Sequence, residues 1–127
     1  KDKSGFDGKT IHSALGFNGT GYNFNEKNPL PHRIVLLDEA GMPDSDIMYR
    51  VLSAVDLSRT TLILMGDPAQ LQPVGSGQPY ADALNNQILP NVTLTKVYRT
   101  SEDQAINIIA QSIRRFELPK MEGNYED

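Results

Sequence analysis

The sequence predicts an α/β domain built on a mostly parallel sheet flanked by helices. Two observations carry this. The apolar run Ile34-Val35-Leu36-Leu37 ends abruptly in Asp38-Glu39, and Leu62-Ile63-Leu64-Met65 ends in Gly66-Asp67. Apolar runs bounded in this way fit strands buried on both faces, as in a parallel sheet covered by helices. A third observation is the helical pattern lying between them, because strands that alternate with helices imply parallel pairing. Acids at the carboxyl ends of such strands stand where open α/β sheets bind their ligands.

Each element follows from local pattern. Residues 1–9 are polar and Gly-rich and predict a loop. Thr10 is placed to cap a short helix holding Ile11, Ala14 and Leu15, with Gly16 as its stop. Residues 17–31 carry Asn, Gly and Pro and predict a loop or a small hairpin. Ile34–Leu37 is the first strand. Asp44–Val55 is a helix whose apolar face holds Ile47, Met48, Val51, Leu52 and Val55. Thr61–Met65 is the second strand. Asp67–Gly77 is a long loop with two prolines and two glycines. Gln78–Asn85 is helical and Val92–Leu94 is a third strand. Ser101-Glu102-Asp103-Gln104 has the form of a capping box, after which Ala105, Ile109 and Ile113 recur on one face. The acidic tail from Phe116 is expected to be loose.

Composition narrows the function. A chain of 127 residues, 39% hydrophobic, is one domain or part of a larger one with enough apolar matter for a core. The net charge of -4 and pI of about 5.1 leave no basic footprint for strong nucleic-acid binding by this piece alone. There is no cysteine, so neither a disulfide framework nor a thiolate metal site is available, which fits a reducing, cytoplasmic setting. No apolar run approaches the ~20 residues that span a bilayer, so no membrane association is expected. The first residue is Lys1 rather than Met, and the chain is expected to begin inside a longer protein.

One motif misleads. Gly5-Phe6-Asp7-Gly8-Lys9-Thr10 ends like the phosphate-binding loop G-x-x-x-x-G-K-[ST], whose backbone N–H groups wrap phosphates. Counting back from Gly8, the first glycine belongs at position 3, which is Lys3. The strand that should feed the loop is also missing. A glycine-containing turn before a helix accounts for these residues.

Four stretches in a fixed order point to a family: Thr10-Ile11-His12, Leu37-Asp38-Glu39-Ala40, Gly66-Asp67-Pro68-Ala69-Gln70-Leu71 and Val97-Tyr98-Arg99-Thr100. Together they resemble the first motor domain of superfamily 1 DNA helicases. They are most similar to the RecD type, which includes exodeoxyribonuclease V alpha subunits. Asp38 through Met42, Gly66 through Gly77 and Leu94 through Arg99 carry the likeness, which extends from about Thr10 to about Leu118. It implies a partial RecA-like P-loop NTPase fold over residues 1–118, lacking the phosphate-binding loop, with 119–127 as an acidic tail or linker. It also implies ATP and Mg2+ as cofactors and single-stranded DNA as a partner. The phosphate loop and the second motor domain would lie elsewhere in the parent chain, and nuclease subunits are possible partners. The RecD type implies 5′-to-3′ movement in repair or recombination. A conjugative relaxase-type helicase shares these motifs. A non-catalytic nucleic-acid- or protein-binding module descended from a motor is a further alternative, and a complete small NTPase using residues 5–10 is another.

The resemblance assigns roles residue by residue. Asp38 is the candidate magnesium ligand, through water, because a hard cation prefers oxygen and keeps much of its hydration. Glu39 is the candidate base that orients or deprotonates the attacking water. Gln70 is similar to the family glutamine that contacts the terminal phosphate and that water. Arg99 resembles the arginine that reaches the terminal phosphate, where a permanently charged fork is suited. Thr10 and His12 match the stretch that touches DNA. Asp67 is expected to shape its loop by bonding local N–H groups, and Gly66, Gly75 and Gly77 to allow backbone conformations that other residues resist. The loop from Gln72 to Gly77 is a further candidate to approach DNA. Tyr22, Phe24 and Tyr80 are candidates to stack on bases. Each assignment has a plainer rival: solvated acids at a strand end, a turn amide, a surface arginine, a structural histidine, packed aromatics. The false phosphate loop gives a direct test. Lys9→Ala is expected to leave magnesium-ATP binding unchanged, measured by equilibrium titration, whereas a small NTPase relying on residues 5–10 would lose it.

Overall fold

A computed structural model describes residues 7–94 together with 109, 112, 113 and 117. The chain divides after Pro90 into two compact units. Among its described residues the first holds α1 (Ile11–Ala14), β1 (Ile34–Leu37), α2 (Ser45–Ser53), β2 (Thr61–Leu64) and α3 (Pro79–Asn85).

β1 and β2 pair in parallel, with Ile34 opposite Thr61 and Leu37 opposite Leu64. Parallel neighbours need a crossover connection, and α2 supplies it. α2 begins where Asp44 places its carboxylate on the Ile47 N–H at 2.9 Å, satisfying one of the orphan donors of the first turn. Asp46 and Arg50 pair one turn apart on its exposed side at 2.9 Å, in the favourable acid-first order. The helix ends at Ser53, two residues before the expected limit, yet Ala54 and Val55 stay in the core.

That core is Leu15 from the end of α1, Leu30, and Val51, Ala54 and Val55 from α2 and its cap. Val35, Leu37 and Leu62 pack on it from the sheet, and Ile11, Tyr22 and Phe24 from the N-terminal side. α1 starts as expected, with the Thr10 hydroxyl accepting from the Ser13 N–H at 3.3 Å, and stops at Gly16, where φ is +67°. The segment that follows is a loop pinched by two isolated antiparallel bridges, Phe17 with Tyr22 and Asn25 with Asn28. It returns to the core through the Leu30 N–H, which donates to the Ala54 carbonyl at 2.8 Å.

Three expectations need correction. The strands are not buried on both faces: Ile34, Leu36 and Ile63 are 66%, 54% and 41% exposed. Alternate residues of a strand point to opposite faces, α2 covers one of them, and among the described residues no element covers the other. Leu52 is exposed although the helical period puts it on the apolar face of α2; the buried residues of that helix are Met48 and Val51. Val92–Leu94 forms no strand, and Val92 and Leu94 are fully solvated; no described strand pairs with it, and an unpaired run this short has no ladder to hold it. In the second unit Ile109 and Ile113 have helical backbone, as their spacing predicts, and so does Ser112. The capping box at 101–104, Ala105 and residues 118–127 lie outside the described residues. Among the described residues no helix is long and apolar enough to cross a membrane.

Leu15→Ala is expected to destabilise the domain by about 2–5 kcal/mol and Leu52→Ala by less than about 0.5 kcal/mol, read from urea unfolding midpoints. The turn entering β2 gives a second test. The Ser58 hydroxyl and N–H donate to the Asp56 carboxylate at 2.6 and 3.1 Å, and with Arg59 nearby they hold that carboxyl below its usual range. A depressed carboxyl contributes stability above its unfolded pKa and loses it as pH falls through the folded value. Ser58→Ala is expected to move the Asp56 titration upward, as followed by NMR.

Candidate active site

The carboxyl ends of both strands lie on the same edge of the sheet, as parallel pairing requires. Beyond β1 the ladder continues one step into the acidic turn. The Met65 N–H donates to the Leu37 carbonyl at 2.8 Å, and the Ala40 N–H donates to the Met65 carbonyl at 2.7 Å. Asp38 and Glu39 lie between these two bonds and are solvent-exposed. One Asp38 carboxylate oxygen accepts from the Glu39 N–H at 2.9 Å. Glu39 has φ of +50°, a left-handed conformation uncommon for a residue with a side chain. The Met42 N–H closes the turn on the Glu39 carbonyl at 2.9 Å, and Ala40 is wholly buried beneath it.

Gly66 meets this turn directly. A Cβ placed there would lie 3.1 Å from the amide nitrogens of both Ala40 and Gly41 and 3.1 Å from Cε1 of Tyr80. A side chain here would need that backbone to give by a few tenths of an ångström, so close approach rather than an unusual φ favours the glycine. From Gly66 the chain turns at Asp67, whose carboxylate accepts from the Ala69 N–H at 3.0 Å and whose carbonyl accepts from the Gln70 N–H at 3.1 Å. This is the local shaping expected of Asp67, and it presents Gln70 to solvent. The far end of the loop is anchored on the start of α2. Gly75 packs on the Asp44 carboxylate, Gly77 on the Ser45 hydroxyl, and the Ser45 N–H donates to the Ser76 carbonyl at 3.0 Å. Gly77 alone of these loop glycines has positive φ, +85°. A shallow groove lies against the loop, lined by Gly41, Asp67, Gln70, Gln72 and Tyr80 among others.

The structure thus brings Asp38, Glu39 and the Gln70 loop together. Thr10 and His12 are engaged with other partners. Thr10 is engaged as the cap of α1, and the His12 ring lies 5.7 Å from Phe17 and 5.8 Å from Tyr22, over which Arg50 sits at 4.9 Å. No hydrogen bond or ring contact among the described residues links either one to Asp38, Glu39 or Gln70. Of the aromatics considered for base stacking, Tyr80 is buried as packing, and Tyr22 and Phe24 are partly buried against the core. Among the described residues a Cβ at Gly8 would meet nothing within 4 Å, so none of them forms a backbone cradle that needs glycine there. Arg99 lies outside the described residues. Sequence reasoning missed the link from Tyr80 to Gly66, a hydroxyl donating to the carbonyl at 3.0 Å; its one sequence signal was an aromatic just after Pro79, the proline that opens α3.

The donor set bears on a metal. Among the described residues no three metal-binding side chains gather. Asp38 offers one carboxylate with an oxygen already accepting from Glu39. Such a donor fits a magnesium ion that keeps most of its water and takes further oxygens from phosphate, rather than one enclosed by protein.

Parallel strands joined by a crossover helix, with acids and a polar loop locked together at their carboxyl ends, define a partial α/β domain of the P-loop NTPase class. The chain belongs to the AAA domain family, whose model matches residues 1–127. It is similar to the ATP-dependent RecD2 DNA helicase of Deinococcus radiodurans, with 32% identity over 91% of this chain and 16% of that protein. It is also similar to the RecBCD enzyme subunit RecD of Mycobacterium tuberculosis, with 32% identity over 83% of this chain and 19% of the relative. The conjugal transfer protein TraA of Agrobacterium fabrum is 30% identical over 73% of this chain and 8% of its own length. The chain therefore spans less than a fifth of each of these relatives.

Gly66→Ala is expected to cost about 1–3 kcal/mol, since the new methyl meets backbone that must shift to admit it. Gly8→Ala is expected to be neutral or slightly stabilising. Urea unfolding of the two variants checks the contrast.

Proposed function

We propose that this chain supplies one wall of the ATP-hydrolysis site of a RecD-type DNA helicase, which moves 5′-to-3′ on single-stranded DNA in repair or recombination. The observation that carries the reading is the junction of the Asp38-Glu39 turn with the Gly66–Gln70 loop, which sets two acids and an amide at one sheet edge. In this reading Asp38 would hold magnesium through water, Glu39 orients or deprotonates the attacking water, and Gln70 senses the terminal phosphate. Arg99 neutralises charge on that phosphate, and Thr10 and His12 touch the DNA strand. Bound magnesium supplies charge neutralisation for the phosphates. The remaining domains of the parent protein supply the phosphate loop and close the cleft, and nuclease subunits are candidate partners. The setting is the cytoplasm.

The likeness to a conjugal transfer protein supports a second reading, a relaxase-type helicase, which would use the same hydrolysis residues. Strand nicking by the parent protein would favour it; unwinding without nicking favours the RecD type.

In the parent protein, Glu39→Gln is expected to lower ATP hydrolysis by at least about 100-fold while magnesium-ATP binding persists, compared by steady-state turnover and equilibrium titration. The isolated chain of 127 residues is expected to show no steady ATPase, because phosphoryl transfer depends on positioning and charge stabilisation that one wall does not provide. Turnover by that chain, abolished by Glu39→Gln, would refute this.

A further inference from the structure

We propose that Tyr80 is a positioning residue for hydrolysis, acting as a clasp that holds the acidic turn and the Gln70 loop in one fixed relation. The inference rests on the hydrolysis-site reading above and goes beyond the residues that reading uses.

Tyr80 is buried near the start of α3. Its ring lies on both loops at once: Cε1 is 3.1 Å and Cδ1 is 3.9 Å from where a Cβ would stand on Gly66 and Gly41 respectively. Its hydroxyl donates to the Gly66 carbonyl at 3.0 Å. That carbonyl belongs to the peptide leading into Asp67, whose own carbonyl and carboxylate shape the turn that presents Gln70. At the same point Gly66 abuts the amides of Ala40 and Gly41, the residues that follow Glu39. One side chain therefore fixes the peptide between the two functional loops and packs on both. Its hydroxyl bonds the Gly66 carbonyl rather than Asp38, Glu39 or Gln70, so it acts through Gly66. Catalysis by positioning is sensitive to displacements of this kind.

Tyr80→Phe keeps the ring and removes the hydrogen bond, which limits the risk of unfolding. In the parent protein with magnesium-ATP and single-stranded DNA, kcat is expected to fall about three- to tenfold, the range of one lost hydrogen bond, with KM for ATP within about twofold. Hydrogen exchange of the peptides covering Ala40 and Gln70 is expected to rise in both together. Val55→Ala, a core change away from the loops, serves as a stability control and is expected to leave kcat unchanged. The clasp is overturned if Tyr80→Phe turns over like wild type while Glu39→Gln is inactive, or if Val55→Ala loses kcat as much as Tyr80→Phe does. Hydrolysis that persists in Glu39→Gln would instead overturn the hydrolysis-site reading, and the clasp with it.

Discussion

The contact between Gly66 and the turn at Ala40–Gly41 is the constraint on which the rest of the site depends. Parallel pairing sends β1 and β2 out of the sheet at the same edge but does not decide how their loops meet. The bond from the Ala40 N–H to the Met65 carbonyl does so on one side. The absence of a side chain at Gly66 does so on the other, letting backbone rest on backbone where a Cβ would stand 3.1 Å from two amide nitrogens. Ala40 is wholly buried at the junction, so the acidic turn has a floor that leaves no room for a larger residue. Close packing of this kind transmits small shifts rather than absorbing them.

The chemistry of the site follows from where its charges are left. Asp38 and Glu39 face solvent, where water screens them and each acid is tolerated without a cationic partner among the described residues. A polyanionic nucleotide approaching two carboxylates on a chain of net charge -4 meets repulsion that a divalent cation must offset. The proposed site therefore needs both magnesium and cationic groups from elsewhere. The left-handed backbone at Glu39 is an observed departure of the sort that gathers at functional turns. Here the Asp38 carboxylate, by accepting from the Glu39 N–H, helps to hold it.

Much of the fold was legible because its signals are local. The apolar runs 34–37 and 61–65 located both strands, Asp44 marked the start of α2, and Thr10 and Gly16 bounded α1. Failures came where the outcome depends on distant partners. Ile34, Leu36 and Ile63 looked like core because apolar alternation was absent, yet burial on a second face requires a second layer. Val92–Leu94 has strand-like composition, but a strand exists only through its neighbour. Leu52 fits the period of α2, but the residues of that helix that the structure buries are Met48 and Val51.

The sequence by itself determined the order of strands and crossover helix and the chemical types at the strand ends, because hydrophobic period, caps and acid boundaries act over a few residues. It also carried the family, through motifs in a fixed order. Only the tertiary structure decided that Gly66 serves close approach while Gly77 serves positive φ, that Gly75 and Gly77 anchor the Gln70 loop on the start of α2, and that Tyr80 packs rather than stacks on a base. Those facts depend on which surfaces meet across tens of residues. Side chain and backbone 14 positions apart, as in the bond from Tyr80 to Gly66, are brought together by packing that no local pattern encodes.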